Sequence, residues 1–195
     1  MNETSQTWKQ LYEAMCSGDM SKLDALINNG VDINERNCYN ETPLLSAIMD
    51  LGVPCEDAPR NADRMNIVSE IVARGADINA LDNDGHGIFD VPIFQIDLEL
   101  IEHLLNIGAH PNNGINSGGD SILDLAHFDY RALYFAPSKV HPHTDADLEN
   151  FDTWLAFMDR EAVRNDFQRP VCLRLLRDRG ARTSEELSAL GKSRV

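Results

Sequence analysis

One short segment combines residue types that could carry out metal chemistry: His141-Pro142-His143-Thr144-Asp145. Two imidazoles and a carboxylate are ligands that zinc and similar divalent metals accept. A metal-dependent hydrolase that uses His141, His143 and Asp145 is therefore one hypothesis for the function. The segment contains a proline and has no further ligand group at a fixed spacing, so we favour the alternative of a solvated loop.

Other signatures of catalysis are missing from the sequence. It contains no phosphate-binding glycine loop, no H-E-x-x-H motif and no nucleophile elbow. The cysteines, Cys16, Cys38, Cys55 and Cys172, form no C-x-x-C pair and do not accompany histidines at zinc-finger spacing, which predicts free thiols. We expect a protein that is not an enzyme and holds no cofactor.

The chain is strongly acidic, with 32 Asp and Glu against 17 Lys and Arg and a formal net charge of −15. Phosphate backbones repel such a protein, which argues against nucleic-acid and anionic-membrane partners. The charge is uneven, because residues 160–195 contain nine basic and five acidic residues while the remainder contains eight and 27. The acidic part is either a solvated surface that keeps the protein soluble or a face for a basic partner.

The sequence also bears on location. No apolar stretch approaches the roughly 18 residues of a membrane-spanning helix, and the polar start, Met1 to Gln6, lacks the layout of a secretory signal. We expect a cytoplasmic protein.

Four segments of the chain end alike, at residues 23–30, 68–75, 101–108 and 173–180. In each, aliphatic residues stand seven and four positions before a final glycine. This spacing is one turn of a helix, so both residues project from one face. The glycine supplies the left-handed residue that commonly ends a helix. The repetition predicts four related helices.

A second shared motif follows the first three glycines, in residues 31–34, 76–79 and 109–112. Polar turn residues and then a short helix motif come after it. The clearest copy of the helix motif begins at Thr42-Pro43-Leu44, and another begins at Ser121. The hydroxyl of Thr42 or Ser121 can cap a helix, and Pro43 suits a first helical turn.

These phrases resemble the ankyrin repeat, with its T-P-L-H-x-A signature and period of about 33 residues. Gly75 to Gly108 spans 33 residues, whereas Gly30 to Gly75 spans 45. The resemblance implies an all-α solenoid of about four helix–turn–helix repeats with short hairpin loops, in a single domain over residues 1–195. A T-x-x-E capping box at Thr183 predicts a closing helix from Ser184 to Leu190.

The pattern is interrupted in three places. Insertions occupy about 51–64, which we expect to be a loop, and about 129–169. The third repeat has Gly87-Ile88-Phe89 instead of Thr-Pro-Leu, so its first helix is expected to be short or displaced. No copy carries the usual histidine of the signature.

The second insertion contains a predicted helix from Asp145 to Phe167 with an apolar stripe formed by Leu148, Phe151, Trp154, Leu155 and Met158. The stripe packs against its own core or forms a pad for self-association. We expect the first arrangement and a monomeric protein.

In the ankyrin family, partners usually meet the hairpin tips and the exposed side of each first helix. The matching positions here are Arg36, Cys38, Tyr39, Glu41, Met49, Asp50, Asn83, Asp84, His86, Ser117 and Asp120. Tyr39 is either an anchor for a partner or packed against its own hairpin. The resemblance and the charge together predict a non-catalytic module whose acidic concave face binds, and can inhibit, a basic protein. An immunity protein that neutralises a toxin is the alternative within this class.

Overall fold

The computed structural model describes residues 5–52, 61–135 and 140–192. Within these ranges the chain forms ten α-helices, one 3₁₀ helix and no β-strand, which confirms the prediction of an all-α protein. The α-helices are α1 (Gln6–Ser17), α2 (Met20–Asn28), α3 (Pro43–Gly52), α4 (Asn61–Ala73), α5 (Asp90–Gln95), α6 (Leu98–Asn106), α7 (Ile122–Tyr134), α8 (Phe151–Asn165), α9 (Val171–Asp178) and α10 (Ser184–Lys192). The 3₁₀ helix, Asp145–Leu148, precedes α8.

The chain divides into two compact units, Met1–Ser117 and Gly118–Val195. In the first unit, α3 packs against both α1 and α5, α1 packs against α2, and α5 packs against α6. In the second unit, α7 packs against α9 and the 3₁₀ helix packs against α8. The single domain expected over residues 1–195 stays a prediction.

The four glycine-ended segments all end their helices in the same way. After α2, the N–H of Gly30 donates to the carbonyl of Ile27 and the N–H of Val31 donates to that of Leu26. This pair of hydrogen bonds is the Schellman motif, which satisfies carbonyls that the helix end leaves unpaired. The same pair recurs after α4, α6 and α9, and the glycines have positive φ: Gly30 84°, Gly75 96°, Gly108 108° and Gly180 86°.

The apolar positions of these helices lie in the core. Val68, Ile71, Ile101 and Leu104 are fully buried in the first unit. Leu26 of α2 is only half-buried. Each fully buried aliphatic side chain stabilises the fold by roughly 1.5–3 kcal/mol relative to an exposed one. The periodic residues that the sequence singled out are thus the residues that hold the units together.

Helices α3 and α7 begin at the predicted cap residues Thr42 and Ser121. The hydroxyl of Thr42 accepts the N–H of Leu45 at 3.3 Å, and Ser121 forms a full capping box with Asp124. Helix α5 is short, as expected, and its N-cap is Phe89, two residues after Gly87, the position that aligns with Thr42 in the sequence. Asp90 still accepts the Gly87 N–H at 2.7 Å, so half of the capping box survives without a hydroxyl.

The insertions differ in part from the prediction. Helix α3 extends to Gly52 and α4 begins at Asn61, so both ends of the expected 51–64 loop are helical. Residues 53–60, with Pro54, Cys55 and Pro59, lie outside the described residues. In the second insertion α7 continues to Tyr134, and the helix expected over 145–167 is broken before α8. The break occurs because Asn150 adopts an extended conformation and caps α8 through a capping box with Thr153.

The helix predicted from Ser184 is confirmed as α10, which continues to Lys192. Thr183 accepts the N–H of Glu186 at 3.2 Å and Glu186 accepts the N–H of Thr183 at 2.9 Å, which completes the expected capping box. Arg177 of α9 binds both carboxylate oxygens of Glu186, at 2.7 and 2.8 Å, and both of Asp152 on α8, at 2.7 and 2.9 Å. One guanidinium therefore ties together three helices of the second unit.

Candidate functional site

The first predicted tip, residues 36–41, is a turn built around Asn37. The side-chain oxygen of Asn37 accepts the N–H of Tyr39 at 2.8 Å and that of Glu41 at 3.0 Å. The N–H of Asn37 donates to the carbonyl of Glu41 at 3.1 Å. This closed turn projects Cys38 and Tyr39 outward, and Tyr39 is 67% exposed. Tyr39 is therefore not packed against its own hairpin, and its role as an anchor for a partner stays a prediction.

The second tip repeats this construction around Asp82, which stands 45 residues after Asn37, the same distance that separates Gly30 from Gly75. Asp82 accepts the N–H of Asp84 at 2.8 Å and that of His86 at 2.9 Å, and its own N–H donates to the His86 carbonyl at 3.0 Å. Asn83, Asp84 and His86 are all exposed. Two tips of the same shape thus present different side chains.

Hydrogen bonds join the first tip to the second, and the second tip to the predicted residue Ser117. The N–H of Asn83 donates to the Tyr39 carbonyl at 3.1 Å, and the N–H of Ser117 donates to the Asp84 carbonyl at 2.6 Å. Arg36 donates from one nitrogen to the carbonyls of Asn40 and Leu81, at 2.6 and 2.7 Å. The predicted residues Tyr39, Asn83, Asp84 and Ser117 therefore lie along one continuous edge of the first unit.

Helices α1, α3 and α5 carry a row of large apolar or aromatic residues, of which only Met49 was predicted from the sequence. In the first unit Ser5 and Thr42 cap α1 and α3, and Gly87 is the aligned position before α5. The seventh residue after each is large and apolar or aromatic: Tyr12, Met49 or Phe94. We call these three residues the apolar row. In the second unit the seventh residue after Ser121 is Phe128, which is 71% exposed.

Two members of the apolar row are well exposed. Met49 is 52% and Phe94 74% exposed, values that are high for side chains of this kind. Tyr12 stacks on Trp8 with ring centroids 5.4 Å apart, and its hydroxyl donates to the carboxylate of Asp50. This hydrogen bond and burial raise the pKa of Tyr12, so the hydroxyl stays protonated. Phe94 was missed although its spacing from Gly87 equals that of Met49 from Thr42.

Side-chain contacts connect the tips to the helices that carry the apolar row. The carboxylate of Glu41 accepts the hydroxyl of Ser46 at 3.1 Å, and Ser46 stands one turn before Met49 on α3. On α5, Asp90 stands one turn before Phe94 and interacts electrostatically with His86 and Asp82 of the second tip. Burial raises the pKa of Asp90. We call the tips and the apolar row together the tip–helix surface.

The tip–helix surface belongs to the acidic part of the chain. Residues 1–117 contain six Lys and Arg against 19 Asp and Glu, a net charge of −13, and residues 75–117 contain seven acidic residues and no Lys or Arg. Arg36, although on a tip, is committed to two carbonyls. A surface of this charge raises the local concentration of cationic partners.

The predicted site residues comprise two groups in the first unit and one residue, Asp120, in the second. Arg36, Glu41 and Asp50 make hydrogen bonds that build the tips and fix α1 against α3. Cys38, Tyr39, Met49, Asn83, Asp84, His86 and Ser117 are exposed in the first unit. Asp120, the remaining residue, belongs to the second unit, where it precedes the cap of α7.

The residues of the metal hypothesis are engaged in other contacts of the second unit. The ring nitrogen Nδ1 of His141 lies 3.2 Å from the buried carboxylate of Glu161. The ring of His143 packs edge-on against Trp154 and Phe157, with centroids 5.8 and 6.1 Å away. Asp145 begins the 3₁₀ helix. In the portions of the chain that the structure describes, no group of three or more His, Cys, Asp and Glu side chains is arranged to hold a metal ion.

The apolar stripe of the second insertion packs mainly inside its own unit. Leu155, Phe157 and Met158 are buried, and Trp154 stacks on Phe157 with centroids 5.0 Å apart. The indole N–H of Trp154 donates to Nε2 of His127 at 2.9 Å. Phe151 and Trp154 also line a groove of about 910 Å³ between α7, α8 and α10. The stripe is therefore chiefly core, with Leu148 exposed at its start.

None of the helices among the described residues has the length and apolar character needed to cross a membrane. No protein-family model matches the chain, and no curated protein sequence is significantly similar to it.

Proposed function

We propose that the chain is a non-catalytic ankyrin-type module and that its tip–helix surface binds a basic protein. The observation that carries the proposal is the coincidence, on one unit, of exposed Tyr39, Met49 and Phe94 with a net charge of −13. Exposed aromatic and methionine side chains supply contact energy, and the surrounding carboxylates supply attraction to a cationic partner.

The ankyrin part of the proposal draws on repetition. Three successive glycine-ended helices carry the same Schellman motif, and two tips have the same hydrogen bonds. Helix α3 packs against α1 and α5, as successive first helices of a solenoid would. Such stacking presents side chains at equivalent positions in rows, which suits recognition of an extended partner surface.

Rigidity of the tips supports binding as well. Tyr39 and Asp84 sit on turns closed by three hydrogen bonds each and joined through Asn83 and Ser117. Because these loops are fixed by hydrogen bonds before a partner arrives, ordering them on binding costs little conformational entropy.

The test is identification of partners followed by measurement with the purified protein. Wild-type protein and the variants Phe94→Asp and Val163→Asp are immobilised, and the proteins they retain from a lysate are quantified at about 50 and about 300 mM salt. Val163, 65% exposed on α8, is the matched control outside the tip–helix surface. A purified candidate is then titrated against each variant by calorimetry.

We expect a basic protein to bind with a dissociation constant that rises with salt. Phe94→Asp should weaken binding by about 2 kcal/mol, roughly 30-fold, because it removes an apolar contact and places a carboxylate against the apolar part of the partner. Val163→Asp should bind as the wild type does. Retention only of acidic proteins, or binding that is insensitive to salt, contradicts the proposal.

A further inference from the structure

We infer that the partner segment is a basic amphipathic α-helix that lies across α1, α3 and α5 with apolar residues at every seventh position. The inference rests on the proposed function and names the shape that the partner must present to the apolar row. It follows from the spacing of Tyr12, Met49 and Phe94.

The spacing of the apolar row is set by helix packing. Helix α3 packs against α1 on one side and against α5 on the other. Packed helices lie about 8–10 Å apart, so residues at equivalent positions on neighbouring helices recur at about 10 Å. Tyr12, Met49 and Phe94 each stand seven residues after aligned positions of the sequence, Ser5, Thr42 and Gly87, although α5 itself begins only at Asp90.

An α-helix matches this distance with side chains on one face. It rises 1.5 Å per residue, so seven residues cover about 10.5 Å and return to nearly the same direction. An extended segment rises about 3.3 Å per residue and covers about 10 Å in three residues, but residues three apart point to opposite faces. A helical partner can therefore contact all three residues at once, whereas a strand cannot.

The charges beside the apolar row specify the polar flanks of the partner. Asp50, which is exposed and accepts the Tyr12 hydroxyl, is next to Met49 in the sequence. Asp90, which is half-buried and accepts the Gly87 N–H, lies one turn before Phe94. Asp84 extends from the second tip, with its carboxylate accepting no hydrogen bond from the described residues. Lys and Arg on both sides of the apolar stripe would meet these carboxylates, and a stripe with acidic flanks would be repelled.

The experiment uses synthetic peptides with the full chain. The probe is a lactam-stapled, fluorescein-labelled peptide of about 22 residues with leucine at every seventh position and Lys or Arg beside each leucine. One comparison peptide has the same composition with scrambled leucines, and another has the same charge but alternates Val and Lys as a strand does. Anisotropy titrations are run with wild type, Met49→Asp, Phe94→Asp and Val163→Asp, each first checked for an unchanged circular dichroism spectrum.

We expect the heptad peptide to bind at least ten-fold more tightly than either comparison peptide. Met49→Asp and Phe94→Asp should each weaken its binding at least ten-fold, and Val163→Asp should leave it within two-fold. Equal affinity for the scrambled peptide, tighter binding of the alternating peptide, or no saturable binding of any peptide overturns the helical partner. A dimer that Phe94→Asp dissociates also overturns it, because a second copy of the chain would then occupy the row.

These outcomes are separable from those of the proposed function. A captured basic protein whose binding depends on Phe94 supports the function whatever its shape, and circular dichroism of its minimal binding fragment in complex then shows whether that fragment is helical. A non-helical fragment ends this inference and leaves the function standing. Absence of any salt-sensitive basic partner ends the proposed function.

Discussion

Asn34 binds the backbone around Asp77 in both directions. Its side-chain oxygen accepts the N–H of Asp77 at 2.7 Å, and its side-chain nitrogen donates to the carbonyl of Gly75 at 2.9 Å. Asn79 repeats the arrangement 45 residues further along in the same unit, with the N–H of His110 at 2.8 Å and the carbonyl of Gly108 at 3.4 Å. Asn34 thus connects the end of α2 to the end of α4, and Asn79 connects the end of α4 to the end of α6.

Replacing either asparagine should therefore destabilise the first unit. Asn34→Ala and Asn79→Ala each remove two hydrogen bonds to backbone groups, and we expect each to lower the free energy of unfolding by about 1 kcal/mol. Urea denaturation followed by circular dichroism measures the change. Asn66→Ala, at an exposed position of α4, should stay within about 0.5 kcal/mol. Equal effects of all three variants would show that the asparagine bridges do not stabilise the unit.

Two glycines with similar backbone angles should differ in their tolerance of a side chain. Gly75 (φ 96°) has open space around its missing Cβ, whereas a Cβ at Gly85 (φ 79°) would lie 3.0 Å from the Cα of Asn116 and the carbonyl oxygen of Ile115. Both alanine variants suffer the left-handed strain of about 1–2 kcal/mol. Gly85→Ala must also displace a neighbouring backbone, so its midpoint of urea denaturation should be clearly the lower of the two.

The contacts of Arg177 should make the second unit sensitive to acid. Hydrogen bonds from Arg177 lower the pKa values of Asp152 and Glu186. A carboxyl group with a lowered pKa stabilises the fold when the pH is above its pKa in the unfolded chain, which is about 3.9 for Asp and 4.3 for Glu. This stabilisation is lost as the pH falls through the lowered pKa of the folded state. We expect Arg177→Met to cost about 1–2 kcal/mol at pH 7, because the Asp152 side of the contact is exposed and screened.

This cost should shrink as the pH falls below about 4, because the unfolded chain then takes up protons at both carboxyl groups. It should disappear once the pH also passes the lowered pKa values of Asp152 and Glu186 in the folded wild type. Urea denaturation at a series of pH values gives the comparison. Arg131→Met is the control, since Arg131 is exposed and makes no ion pair with the described residues. A cost for Arg177→Met that is the same at pH 7 and pH 3 would exclude the electrostatic explanation.

Trp154 should hold His127 in its neutral form. Nε2 of His127 accepts the indole N–H, and burial lowers the pKa of the imidazole. In NMR titrations we expect the His127 midpoint below its usual value of about 6.5. Trp154→Phe removes a hydrogen bond that only the neutral ring can accept at Nε2, so the midpoint should rise.

Trp8→Phe is the matched control for the His127 titration. The indole N–H of Trp8 donates to the carbonyl of Glu41 in the first unit, and its removal should leave the His127 midpoint unchanged. A midpoint that moves equally in both variants would point to a general loosening of the fold instead of the Trp154 hydrogen bond.

The sequence by itself determined the features that depend on a few neighbouring residues. The sequence predicted the glycines that end α2, α4, α6 and α9. It also predicted the caps at Thr42 and Ser121 and the capping box between Thr183 and Glu186. Each satisfies backbone groups within about six residues along the chain, so residue type and spacing are sufficient to specify it. The short helix after Gly87 was predicted because Gly87-Ile88-Phe89 replaces Thr-Pro-Leu, and α5 indeed begins only at Asp90.

Only the tertiary structure decided which side chains are exposed and which are engaged by distant segments. The Arg36 side chain donates to the carbonyl of Leu81, 45 residues away. Phe94 is exposed and Trp154 is mainly packed in its own unit. Exposure depends on which distant segments cover a side chain, and contacts across tens of residues leave no local pattern in the sequence.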